Sequence, residues 1–137
     1  MTAPLAAYWI LLVGALMPYP LVMLAKAHRD YDNADPRNPA AINTPLRQRA
    51  FGAHANSLEA FPLFAAAVLL ASVRHAPAQA VDIAAGIWLA FRLAYVACYL
   101  RGLASLRSLM WTGATIASLA ILVLAIVHAA AGPGPSA

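Results

Sequence analysis

Four apolar runs separated by short polar breaks set the pattern of this chain. The first, Leu5 to Ala25, carries no charge and is long enough to cross about 30 Å of hydrocarbon at 1.5 Å per helical residue. It is too long for a signal-peptide core and lacks a basic leader and a cleavage site, so it reads as a retained span. Pro18 and Pro20 remove backbone donors in its second half and predict a kink, with neighbouring helices covering the freed carbonyls. The chain then turns polar: Asp30, Asp32 and Asp35 crowd together, and prolines follow Asp35 and Asn38, which forbids a helix and predicts a solvated loop. Such a loop either connects or covers a site. Thr44 or Asn43 is placed to cap the next helix, with Pro45 in its first turn. The periodicity predicts spans at about 5–27, 45–74, 78–100 and 105–130, with the polar loop at about 28–44, as one membrane domain over the whole chain.

Composition agrees with this pattern. The chain has 137 residues, 63% of them hydrophobic and 10% charged. With a mean hydropathy of +0.71 it is an integral membrane protein, all-α, with the length of a four-helix bundle. The net charge of +4 reports topology, since no basic tract with interleaved aromatics points to nucleic acid. Lys26, Arg29, Arg37, Arg47 and Arg49 flank the first loop, Arg101 and Arg107 the third, and only Arg74 the second. This asymmetry places loops one and three in the cytoplasm and both termini on the far side. Four histidines without ligand spacing give no reason to expect a metal, and Cys98 has no partner for an internal disulfide.

Two polar faces interrupt the apolar spans. At about 100° per residue, Arg49, Gly52, Asn56 and Glu59 share an arc of roughly 80° on the second span, with His54 on the other side. A carboxylate and a carboxamide are costly in lipid and face protein or a water-filled cavity. Trp88, Arg92, Tyr95 and Tyr99 share an arc of about 60° on the third span. With the predicted topology, Arg49, Glu59, Arg92, Tyr95, Tyr99 and Arg107 all fall toward the cytoplasmic ends of their helices. The same residues also suit plainer roles: a clasp between Asn56, Glu59 and Arg92, interfacial tyrosines, and a topogenic Arg107.

The run RAFGAHANSLEAFPLF, then FRLAYVACYL, then LRS at the head of the fourth span, resembles the MAPEG family, the membrane-associated proteins in eicosanoid and glutathione metabolism. The most specific piece is A-H-x-N-x-x-E-x-x-P from Ala53 to Pro62, with R-x-x-Y-x-x-x-Y at Arg92, Tyr95 and Tyr99 as a second match. The resemblance implies a four-helix bundle, a homotrimer, the bacterial inner membrane, and glutathione bound between subunits near the cytoplasmic side. It implies that Asn56, Glu59, Arg92, Tyr95 and Tyr99 bind glutathione, and Arg49, on the same face as Asn56 and Glu59, is expected to join them. Arg107 and Ser108 would then lie at its sulfur, where a nearby cation favours the thiolate. The implied activity is a glutathione-dependent transferase or peroxidase acting on hydrophobic electrophiles. One departure stands out: relatives carry arginine at Gly52, Ala55 or both, where it engages a glutathione carboxylate. Arg47, Arg49, and Lys26 or Arg29 of an adjacent subunit are the cations left for that task. Two other classes stay open: a non-catalytic membrane assembly protein, and a proton-coupled exporter using Glu59.

Overall fold

The computed structural model describes residues 4–27, 31–32, 34–35 and 42–130, apart from the side chains of Leu5, Ala129 and Ala130. Most of the acidic loop, with His28, Arg29 and Arg37, and the tail from residue 131 lie outside the described residues. Among the described residues the structure is all helix: α1 (Leu5–Leu16), α2 (Pro18–Lys26), α3 (Pro45–Val73), α4 (Ala78–Arg101) and α5 (Ala104–Ala130). Together α1 and α2 form the first apolar segment, and four stretches are long and apolar enough to cross a membrane. Large apolar side chains such as Trp9, Met23, Leu69 and Val123 stay more than half exposed, which suits lipid rather than water.

Two prolines act differently because of where they fall. Pro18 begins α2 after the break at Met17, and His54 on α3 binds the Pro18 carbonyl through Nδ1 at 2.9 Å. A carbonyl only accepts, so His54 carries its proton on Nδ1 there. Pro62 instead lies inside the unbroken α3. Thr44 caps α3 through its hydroxyl oxygen, which accepts from the Arg47 N–H, and Pro45 occupies the first turn. At the opposite end of the bundle the Asp82 carboxylate on α4 accepts from the Ala7 N–H at 2.8 Å, covering an otherwise orphaned donor of α1.

Lipid supplies no hydrophobic drive between helices, so the bundle relies on close packing. α5 lies against α4 and α3, α2 against α3, and α1 against α4. Ala67, Ala71, Ala85, Ala114, Ala117 and Ala125 are buried and let the helices approach. Phe64 stacks on Trp88 with ring centroids 3.8 Å apart and 5° between planes. Gly113 receives the Phe91 ring, which a Cβ there would meet at 2.6 Å.

Candidate functional site

One end of the bundle departs from this apolar packing. Arg92 on α4 is 1% exposed, yet among the described residues its guanidinium bonds only neutral oxygens: Nη1 donates to Asn56 Oδ1 at 3.0 Å and Nη2 to Ser57 Oγ at 3.2 Å. Ser57 in turn donates to the Ala53 carbonyl at 2.8 Å, so its hydroxyl is used both ways. Asn56 uses its other end as a donor, from Nδ2 to Glu59 Oε2 at 3.4 Å. The amide therefore bridges a buried cation and an exposed carboxylate, each meeting the dipole end that suits its sign. The clasp between α3 and α4 is real, and it leaves Glu59 free to take a second partner at the surface of the chain.

A ladder of alternating cations and rings continues from Arg92. Its guanidinium carbon lies 4.5 Å from the Tyr95 ring centroid, Tyr95 meets Tyr99 edge-on at 5.6 Å, and Arg107 lies 4.6 Å from the Tyr99 centroid. Neither phenol hydroxyl has a hydrogen-bond partner among the described residues. The Tyr99 hydroxyl rests over Gly52, where an added Cβ would stand 2.3 Å from it. With Tyr99 as it stands, a side chain at position 52 would have to displace the phenol ring.

These groups surround an open cleft of about 660 Å³, lined by Gly52, Ala55, Asn56, Glu59, Tyr95, Tyr99, Arg107, Ser108, Trp111 and Thr112. Of the residues singled out in the sequence, Asn56, Glu59, Tyr95, Tyr99, Arg107 and Ser108 meet here. Arg92 stands behind Asn56 and lines an adjoining cavity instead. Arg49 lines neither: its Nη1 donates to the Leu100 carbonyl at 3.2 Å, and its guanidinium packs at Gly102, whose φ of 75° ends α4. The Ser108 hydroxyl donates to the Ala104 carbonyl at 3.2 Å, so its proton faces back along α5. Arg107 is thus the better placed of the pair to stabilise an anion in the cleft.

The family model for MAPEG matches residues 6–127, nearly the whole chain. The chain belongs to the MAPEG family. Comparison with curated proteins and with solved structures gives no match. In this MAPEG chain, Trp111 and Thr112 join the cleft without having been anticipated; their spacing of four from Arg107 and Ser108 on one helix face was the available signal. Ser57 has no such signal in the sequence, since its partner Arg92 lies on a different helix. Among the described residues no group of His, Cys, Asp and Glu could hold a metal ion.

Proposed function

We propose that this MAPEG protein is a glutathione-dependent transferase or peroxidase that presents a bound thiolate to hydrophobic electrophiles arriving from the bilayer. The observation that carries the reading is the cleft itself, which gathers a carboxylate, an amide, an arginine and two phenols without hydrogen-bond partners among the described residues around one open space. Glu59 matches the glutamyl ammonium of glutathione, and Asn56 matches its polar backbone. Tyr95 and Tyr99 offer hydroxyls to its carbonyls and carboxylates. Arg107, stacked on Tyr99, is the cation for the sulfur. In the single chain Glu59, Ser108 and Thr112 are exposed along spanning helices, a costly state in lipid. A homotrimer with the cleft between subunits covers them; the charge asymmetry supports a cytoplasmic-side position for that layer, and the family resemblance supports a bacterial inner membrane.

Two substitutions test the assignment by their opposite signatures. Arg107→Ala raises the pKa of bound glutathione and slows turnover about 100-fold with little change in binding, the pattern of an interaction that favours the reacting form. Glu59→Ala weakens glutathione binding about tenfold or more, with the bound thiol's pKa unchanged. If both variants match wild type, the assembly-protein reading replaces this one.

A further inference from the structure

A second space of about 280 Å³ lies beside the cleft, and its wall holds a buried cation. Arg92 is 1% exposed, its guanidinium donates to the neutral Asn56 and Ser57, and no carboxylate among the described residues bonds to it. The Tyr95 ring, 4.5 Å from the guanidinium carbon, is the other group facing the charge. A charge taken out of water without a countercharge is costly, and neutral dipoles offset only part of that cost. Two further donors share the wall. Ser118 is 1% exposed and Trp88 2% exposed, and neither the hydroxyl nor the indole N–H has a hydrogen-bond partner among the described residues. Ser72, Ser108, Thr112 and Thr115 show the ordinary alternative, each donating to the carbonyl four residues back. Depth brings the three donors together. α4 and α5 run antiparallel from the turn at Gly102, with the Phe91 ring against Gly113 fixing their register. Counted from that turn at 1.5 Å per residue, Trp88 and Ser118 both lie about 20 Å deep, and Arg92 stands about 6 Å nearer the turn.

We propose that this cavity binds a small monovalent inorganic anion of the chloride type, held between Arg92 on one side and Ser118 and Trp88 on the other. The site does not depend on what the adjoining cleft binds. Guanidinium and indole nitrogens only donate, and the Ser118 proton is uncommitted, so each group offers the anion a hydrogen bond. A water molecule accepts from the same donors but leaves the charge of Arg92 uncompensated, and charge is what separates the two occupants. Glu59 is the carboxylate on the cavity wall, and it opposes an anion. It is exposed and already accepts from the Asn56 amide, so its field is screened at the open side, whereas Arg92 acts from the buried side where the effective dielectric is lower. Ala60, Leu63 and Ala114 complete the wall, and such apolar surface suits a weakly hydrated monovalent ion and not a strongly hydrated dianion such as sulfate. Because the wall comes from α3, α4 and α5 together, occupancy ties these three helices to one another.

Thermal unfolding tests the site without glutathione. Full-length protein in a nonionic detergent is melted in sodium gluconate and titrated with sodium chloride, bromide or sulfate at constant ionic strength. Chloride and bromide are expected to raise Tm by several degrees along a saturable curve, and sulfate to give no saturable rise. Ser118→Ala moves the chloride midpoint to about tenfold higher concentration, the effect of losing one hydrogen bond to a charge. Trp88→Phe keeps a ring for the stack on Phe64, loses the N–H, and moves the midpoint in the same direction. Glu59→Gln keeps an acceptor for Asn56 while removing the repulsion, and moves the midpoint to lower concentration. A Tm that follows ionic strength whatever the anion, midpoints in Ser118→Ala and Trp88→Phe that match wild type, or a Glu59→Gln midpoint that rises overturns the proposal and leaves Arg92 to water or to a neighbouring subunit.

Discussion

At the scale of single residues, the fit between Gly52 and Tyr99 decides how the cleft is shaped. A Cβ at position 52 would stand 2.3 Å from the phenol oxygen and 2.8 Å from the ring carbon that bears it, so Gly52→Ala displaces the ring rather than a flexible tip. Overpacking of this kind costs about 1–3 kcal/mol. Thermal unfolding in detergent checks the consequence: Gly52→Ala destabilises wild type by that amount and has almost no further effect in a Tyr99→Ala background, because the two changes act on one contact. Additive losses would show that the ring is not what Gly52 accommodates. Asn56, Glu59, Tyr95, Tyr99, Arg107 and Ser108 could all be found from helical spacing and the motif they form, and they do share one cleft. The glycine's function could not, since it depends on a ring from another helix, and neither could the amide bridge that sets Asn56 between Arg92 and Glu59.

Arg49 shows at the scale of elements why a shared helix face is weaker evidence than a shared depth. On a helical wheel it aligns with Asn56, but the two are about 10 Å apart along the axis at 1.5 Å per residue. Its side chain reaches the end of α4, where it satisfies the Leu100 carbonyl beside the left-handed Gly102. Arg49→Met is therefore expected to lower stability by about 1–2 kcal/mol, the range for a hydrogen bond from a charged donor, with glutathione affinity within twofold of wild type. An affinity loss of tenfold in isothermal titration would return Arg49 to the binding site. Asp82 is the corresponding device at the other end of the bundle. Asp82→Ala removes the acceptor of the Ala7 N–H and costs about 1 kcal/mol, read as faster amide exchange confined to the first turn of α1; Asp82→Asn keeps an acceptor oxygen and loses less. The break at Pro18 was legible from the lost donor, whereas the unbroken course of α3 through Pro62 shows that one proline inside a long apolar helix need not end it.

For the whole molecule, charge-free length and hydropathy were enough to read an all-helical membrane protein with four spanning stretches, because backbone polar groups in lipid leave few other solutions. Assembly is a different matter: the exposed Glu59, Ser108 and Thr112 ask for cover, and three subunits is a proposal drawn from the resemblance. Native mass measurement in mild detergent is expected to give three chains, and a monomer that still binds glutathione would remove the intersubunit cleft. The central claim, that this cleft takes glutathione and ionises its thiol, is met most directly by titrating the wild-type protein with glutathione and following thiolate absorbance. A saturable thiolate signal at millimolar glutathione or below, lost in Arg107→Ala, is the predicted result. No saturable signal, or a signal untouched by the loss of Arg107, would contradict it.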